Sequence, residues 1–457
     1  MWPLAPHPLP PLPLEEGVGG WSNKKTTIIM TTNKPTPQDN VSSHGRPSDL
    51  RITDMRTATV GWNNWRFTII RIDTNQGISG YGEVRDGASK TFALMLKSRL
   101  IGENPCDVDR LFRKIKQFGH HARQGGGVCA VEMALMDLAG KAYGVPAFMI
   151  AGGKFRDSIR MYCDTPNEPT GEAMGKKIRE RIDKGFSFVK MDVGIGDLID
   201  VLGALSFPPG MTKTNKIMHP FTHIRLTDRG IGILTDYVAA VRQEVGDEVP
   251  IAADHFGHIG VEDCLRLGHA LEKFNLAWLE DMVPWQYTDQ WARLNRELRT
   301  PCCTGEDIYL KEGFVPLFNE RAIAICHPDL ATSGGILETK KIGDMAQERG
   351  ISMALHMAGT PISTMASVHC AAATENFIAL EHHFSEVPYW DDFISIDGAA
   401  SGSKVIQNGY IPVPTSPGLG FTLNEDAVRA HLIPEDQGFF EPTPQWDSER
   451  SWDRLWS

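Results

Sequence analysis

The sequence predicts an α/β protein, a TIM-like (β/α)₈ barrel preceded by a smaller α+β unit. Three observations predict it. From residue 158 onward, eight short apolar runs recur, mostly about 20–30 residues apart. Longer stretches with helical spacing of apolar residues fill the intervals. Before them, residues 50–85 alternate like paired strands and residues 90–146 read as helices, the order expected of a small α+β unit.

The strand candidates follow in order. RITDMRTATV and RFTIIRIDTNQGISGYGEV carry period-two alternation, with NQG as a turn signal. CAVEMALMDLAGKAYGV has helical spacing and a glycine near its end. The barrel runs are SIRMYC (158–163), FSFVKMD (186–192), VPIAAD (249–254), NLAWLE (275–280), PCCTGE (301–306), AIAICHPD (322–329), GISMALH (350–356) and NFIALE (376–381). Strand–helix units repeated eight times close into a barrel. The interval 193–248 is too long for one helix and holds an insertion, 195–230, rich in Gly, Pro, His and Thr. It follows a strand, which places it on the face where such barrels carry their sites.

At 457 residues the chain is long enough for two domains and tails, and 41% hydrophobic with 23% charged residues is ordinary for a globular protein. A net charge of −11 argues against nucleic acid, which needs a basic surface. No apolar run reaches membrane-spanning length. Eight scattered cysteines without a CxxC pair read as free thiols in a reducing cytoplasm. Residues 1–48 read as a disordered or extended tail. Its proline-interrupted start lacks a signal peptide's unbroken apolar region, and Met30 is a candidate start of translation.

Nearly every barrel run ends in an ionisable residue: Lys190 and Asp192, Asp254, Glu280, Glu306, Asp329, His356 and Glu381. A lone carboxylate after a strand is most simply a helix cap. Together they aim at one cavity, where buried charge of one sign is too costly to leave uncompensated. Asp254, Glu280 and Glu306, 26 residues apart in each step, call for a cation, and an all-oxygen set favours Mg²⁺ over zinc. His356, with Asp329 to fix its tautomer, has the makings of a general base. Lys190 suits a substrate carboxylate or, with a lowered pKa, a base; a salt bridge to the metal carboxylates is the plainer reading.

The motifs VKMD (189–192), AAD (252–254), WLED (278–281), TGED (304–307), HPDLATSGGI (327–336), ALH (354–356) and the glutamate of LEHH (380–383) resemble the enolase superfamily, and within it the mandelate racemase-like subgroup. SPGLGF (416–421) resembles the segment by which these chains return to their capping domain. The resemblance spans roughly residues 50–430. It implies an α+β capping domain at 49–157, a catalytic barrel at 158–384, a return to the cap at 385–440 and a tail at 441–457. It implies one Mg²⁺ on Asp254, Glu280 and Glu306, proton abstraction by His356 with Asp329, and Glu381 bonded to the carboxylate oxygen that becomes anionic. Racemases of the subgroup carry a second lysine where this chain has Asp192, so a two-base racemase lacks one base. One base plus an acid suits acid-sugar dehydratases: α-proton loss from an aldonate or aldarate, then departure of the β-hydroxyl to leave a 2-keto-3-deoxy acid. In some of these a histidine two residues beyond the first metal ligand is the acid. Phe256 stands there, with His255 and His258 on either side as candidates. Asp192, Arg225 of the insertion and Trp62 of the GWNNWR segment (61–66) are candidate substrate contacts; Trp62 and Trp65 suit a sugar or the barrel rim equally. His219 and His223 belong to the same insertion. A racemase, epimerase or cycloisomerase on the same site, and a silent binding barrel, are the competing expectations. Homo-oligomers, such as octamers, are implied by the resemblance.

Overall fold

The computed structural model describes residues 46–120, 122–207, 224–256 and 259–448. The N-terminal tail read from the sequence lies almost wholly outside them, as do His219, His223 and His258.

Three antiparallel strands open the chain: β1 (Ile52–Trp62), β2 (Trp65–Thr74) and β3 (Ser79–Val84). Trp62 pairs with Trp65, so β1 and β2 join through two residues, and Asn63 supplies the positive φ (51°) that such a tight hairpin turn needs. A 22-residue helix, α1 (Ala122–Tyr143), lies on β3. Gly80 and Gly82 permit that approach: a Cβ at either would collide with the carbonyl oxygen of Ala134 or Ala130. The C-terminal segment returns here through bridges of Ala58 to Phe439 and Val60 to Leu432.

Eight parallel strands then form a closed barrel: β4 (Ser158–Thr165), β5 (Val189–Asp192), β8 (Ile251–Asp254), β9 (Leu279–Glu280), β10 (Cys302–Thr304), β11 (Ile325–Cys326), β12 (Ser352–Leu355) and β13 (Phe377–His382), with β13 pairing back to β4. Every predicted barrel run holds one strand, most of them trimmed at the ends. The insertion begins with a short 3₁₀ turn at Ile195–Leu198. It also holds a two-residue ladder, β6 (Leu205–Ser206) with β7 (Arg225–Leu226). Among the helices outside the barrel, α2 (Gly335–Gln347) and α3 (Pro361–Ala373) face the cap. No helix among the described residues is long and apolar enough to cross a membrane.

The barrel interior is layered. Tyr162, Phe188, Ala252, Trp278, Cys303, Ile325, Ala354 and Ala379, one from each strand run, form an apolar plug. Side chains two residues apart share a face. Two positions further on stand Asp164, Lys190, Asp254, Glu280, Gly305, His327, His356 and Glu381. A ring of ionisable groups therefore sits directly on the plug, at the C-terminal face where barrel sites form.

Two buried cap carboxylates fasten cap to barrel. Glu132 of α1 accepts from Ile336 N (2.5 Å) and Leu337 N (2.9 Å), the first turn of α2. Glu83 of β3 accepts from Thr360 N (3.0 Å) and Ser363 N (3.4 Å) where α3 begins. Each satisfies amides that a helix start leaves unpaired.

Candidate active site

Lys190 occupies the middle of the ring. Its Nζ lies 2.7 Å from Asp254 Oδ2, 3.3 Å from Glu280 Oε1 and 2.7 Å from Glu381 Oε1, with all four side chains buried. Burial disfavours the ammonium, yet the three carboxylates outweigh it and raise its pKa well above the ordinary value. A buried cation held this firmly is a poor base and a good anion ligand.

Glu280 is the most constrained carboxylate. Trp278 Nε1 donates to it at 2.7 Å and His327 Nδ1 lies at 2.8 Å. His327 in turn meets Tyr162 Oη at 2.6 Å. Despite burial, His327 and Lys190 hold the Glu280 carboxyl down at about 2. Asp254 accepts from its neighbour's amide, His255 N, at 2.7 Å. His255 follows in the left-handed region (φ 52°), a costly conformation for a histidine that keeps its ring 3.4 Å from Asp254. The charge of Asp254 beside it lifts His255 to about 10 despite burial. Asp192, beside Asp254 in register, is raised to about 7 by burial and by the charges of Asp254 and Asp164.

His356 stands across the ring. Its Nδ1 lies 2.6 Å from Asp329 Oδ2, and its Nε2 lies 3.1 Å from Glu306 Oε2 and 3.9 Å from Glu381 Oε2. Asp329 also caps the short helix after it, accepting from Ala331 N at 2.6 Å, so its carboxylate is fixed from two sides. Burial, followed by the nearby Arg85 charge, pushes His356 well below the ordinary imidazole range and keeps the ring neutral.

Arg85 was not visible as a site residue in the sequence. It follows β3, and its buried guanidinium pairs with Asp329 and lies 3.5 Å from Glu306 Oε1 and 2.9 Å from His356 Nδ1. The cap therefore contributes a cation to the dyad. His383 was also passed over. Its Nε2 lies 3.1 Å from Glu381 Oε1 and its Nδ1 lies 3.4 Å from Asp164 Oδ2. Strand alternation carried the signal, since 381 and 383 share a face.

Three sets of donor atoms gather within 4.8 Å of one another among the described residues: Glu280 with Cys303 and His327; His356 with Glu381 and His383; Asp254 with His255 and Asp281. Asp254 and Glu280 thus stand in separate sets, joined through Lys190, and Glu306 lies on the His356 side of the ring. Glu306 follows Gly305, whose φ of 147° breaks the strand's alternation and turns the glutamate toward Arg85.

Two predicted substrate contacts are placed elsewhere. Arg225 is engaged by the buried Asp263, at 2.8 Å. Trp62 lines a narrow crevice with Gly359, Phe384 and Trp390, at the seam of hairpin and barrel. Trp65 packs edge-on against Phe384 (5.2 Å between centroids) and lies 6.4 Å from His383, bringing the hairpin to the rim of the ring.

Comparison with known proteins agrees with this architecture. Residues 173–427 match the family described as enolase C-terminal domain-like, and residues 44–152 match the mandelate racemase / muconate lactonizing enzyme N-terminal domain. A D-xylonate dehydratase of Haloferax volcanii is 34% identical, the match covering 88% of this chain and 94% of the relative. An arabinonate dehydratase of Saccharolobus solfataricus is 28% identical, covering 79% and 89%. The crystal structure of a mandelate racemase/muconate lactonizing enzyme-like protein from Rubrobacter xylanophilus superposes with a TM-score of 0.76 at 30% identity, over 86% of this chain and all of that one. The chain belongs to the enolase superfamily, in its mandelate racemase / muconate lactonizing enzyme branch.

Proposed function

We propose that the protein is a Mg²⁺-dependent hydro-lyase that dehydrates a sugar acid, an aldonate, to the 2-keto-3-deoxy acid. The observation that carries the reading is the asymmetry of the ring. A neutral imidazole held by a carboxylate, His356 with Asp329, faces a cationic lysine seated among carboxylates across a cavity lined with charge. One side suits proton removal, and the other suits an anion. The named dehydratases among the relatives support the reaction class, and the 34% identical D-xylonate dehydratase makes a five-carbon aldonate the first substrate to try.

Asp254, Glu280 and Glu306 would hold the ion. The donor chemistry fits: all three are oxygen donors at the ends of successive strands, and the pocket already concentrates two of them around one cation, Lys190. Mg²⁺ bound there supplies Lewis-acid stabilisation of charge on the substrate carboxylate. Lys190 would bind that carboxylate as a fixed cation. His356 Nε2 takes the α-proton, while Asp329 on Nδ1 fixes the tautomer that leaves Nε2 free to accept it. Glu381 holds the oxygen on which charge develops. Trp65 stands at the rim.

The test is a panel of aldonates and aldarates, D-xylonate included, offered to the Mg²⁺-loaded protein in deuterated solvent. The expected result is a 2-keto acid from at least one member. Inversion at C2 without keto acid points instead to a racemase. Mg²⁺ binding without any product points to a silent barrel.

A further inference from the structure

Dehydration needs two proton transfers, and His356 accounts for one. Resting on the dehydratase reading, we infer that His383 is the general acid that protonates the departing β-hydroxyl. The residue lies one layer above the ring, two positions beyond Glu381 at the end of β13. Its ring centroid is 5.5 Å from that of His356, so both imidazoles border the same part of the cavity. Their neighbours differ. His356 has Asp329 on Nδ1 and Glu306 3.1 Å from Nε2, but the Arg85 guanidinium lies 2.9 Å from its Nδ1 and sets a cation against any charge on the ring. His383 has a carboxylate at each nitrogen, Asp164 at Nδ1 and Glu381 at Nε2, an arrangement that favours two ring protons. Burial opposes the charge, and Glu381 and Asp164 prevail, lifting His383 to about 9. Two imidazoles on one part of a cavity, one beside a cation and the other between carboxylates, suit a base and an acid. Access differs too. The His383 side chain is 19% exposed, against 5% or less for His356 and His327, and it stands at the rim beside Trp65 where a substrate enters.

The chemistry balances. The C2–H bond breaks, its proton passes to His356, and its electron pair enters the enediolate of the substrate carboxylate. That pair then forms the C2–C3 double bond as the C3–O bond breaks. The leaving oxygen takes the Nε2 proton of His383 and departs as water. The resulting enol ketonises to the 2-keto-3-deoxy acid, and the proton gained by His356 restores His383 through solvent. With both imidazoles on one side of the cavity, proton and hydroxyl leave from the same face of the substrate.

The experiment compares wild type with His383→Asn and Asp164→Asn, each checked for folding by circular dichroism, on two reactions of the Mg²⁺-loaded protein. One is exchange of the α-proton with deuterated solvent, and the other is keto-acid formation from the hydroxy acid and from its 3-deoxy-3-fluoro analogue. Fluoride leaves without a proton. His383→Asn should keep exchange within a few-fold, lose dehydration by about 10²–10⁴, and expel fluoride within about tenfold of wild type, because general acid catalysis contributes on that order. Asp164→Asn should show the same pattern, more weakly. Dehydration retained in His383→Asn would overturn the inference and move the acid elsewhere, His255 first. Exchange, dehydration and fluoride loss all falling together would also overturn it, giving His383 a supporting role. Failure of the dehydratase reading looks different: the wild-type protein itself gives no keto acid, with or without exchange, and the inference falls with it.

Discussion

At the scale of single residues, the site is a set of charges that restrain one another. His356→Asn keeps roughly the size of the side chain and removes the proposed base. Exchange of the α-proton should fall by about 10²–10⁴ with the fold unchanged, measured by loss of the C2 proton signal in deuterated buffer; retained exchange would shift the base to another group. Arg85→Ala strips a buried cation from Asp329 and Glu306 and leaves their charge uncompensated. Breaking a buried pair from one side costs about 3–5 kcal/mol, which a denaturant titration resolves, and Arg85→Lys should cost less. These residues also mark what the sequence could and could not convey. The ring positions Lys190, Asp254, Glu280, His356 and Glu381 stand at strand ends, where pattern and motif coincide. His327 and His383 lay inside quoted motifs, HPD and LEHH, and two-residue alternation from the plug would have placed them. Arg85 offered no such signal, because it reaches its partners across 221 and 244 residues of chain and its role exists only once cap meets barrel.

Secondary-structure elements meet through carboxylates at helix starts. Glu132→Ala would strand the amides of Ile336 and Leu337, each unpaired buried group costing about 1–3 kcal/mol. The pH dependence has a definite sign. Burial raises Glu132 to about 8 and Glu83 to about 7 from an ordinary 4.5. The folded chain therefore holds these protons longer than the unfolded chain. Their stabilising contribution is complete below about pH 4.5 and is lost as pH rises through 7 to 8. Tm should fall between pH 5 and 8, and Glu132→Gln, which cannot ionise, should flatten that fall; an unchanged slope in the variant would refute the assignment. Gly82→Ala tests the close contact of β3 with α1. Overpacking of this kind costs about 1–3 kcal/mol, readable as a lower Tm. The eight barrel strands were legible as elements because apolar runs and helical intervals repeat. Their ends were not, since strands such as β9 and β11 keep only two residues of ladder and the other apolar residues of those runs, Trp278 among them, pack without ladder pairing.

For the molecule as a whole, fold and reaction depend on different things. The plug, the cap seam and the Lys190 cluster are held by packing, hydrogen bonds and ion pairs between protein groups. Removing divalent ions with a chelator should abolish turnover and leave the circular dichroism spectrum intact. Added Mg²⁺ should restore activity and raise Tm only by the linkage expected of a ligand that binds the folded state. Collapse of the fold on chelation would mean that the ion is structural. The eight side chains of the plug have a further consequence. They stopper the bottom of the barrel, so among the described residues the ring of ionisable groups is closed from below. The hairpin reaches the upper rim of that ring through Trp65, 6.4 Å from His383, so a bulkier or stiffer hairpin there should alter the mouth without touching the plug.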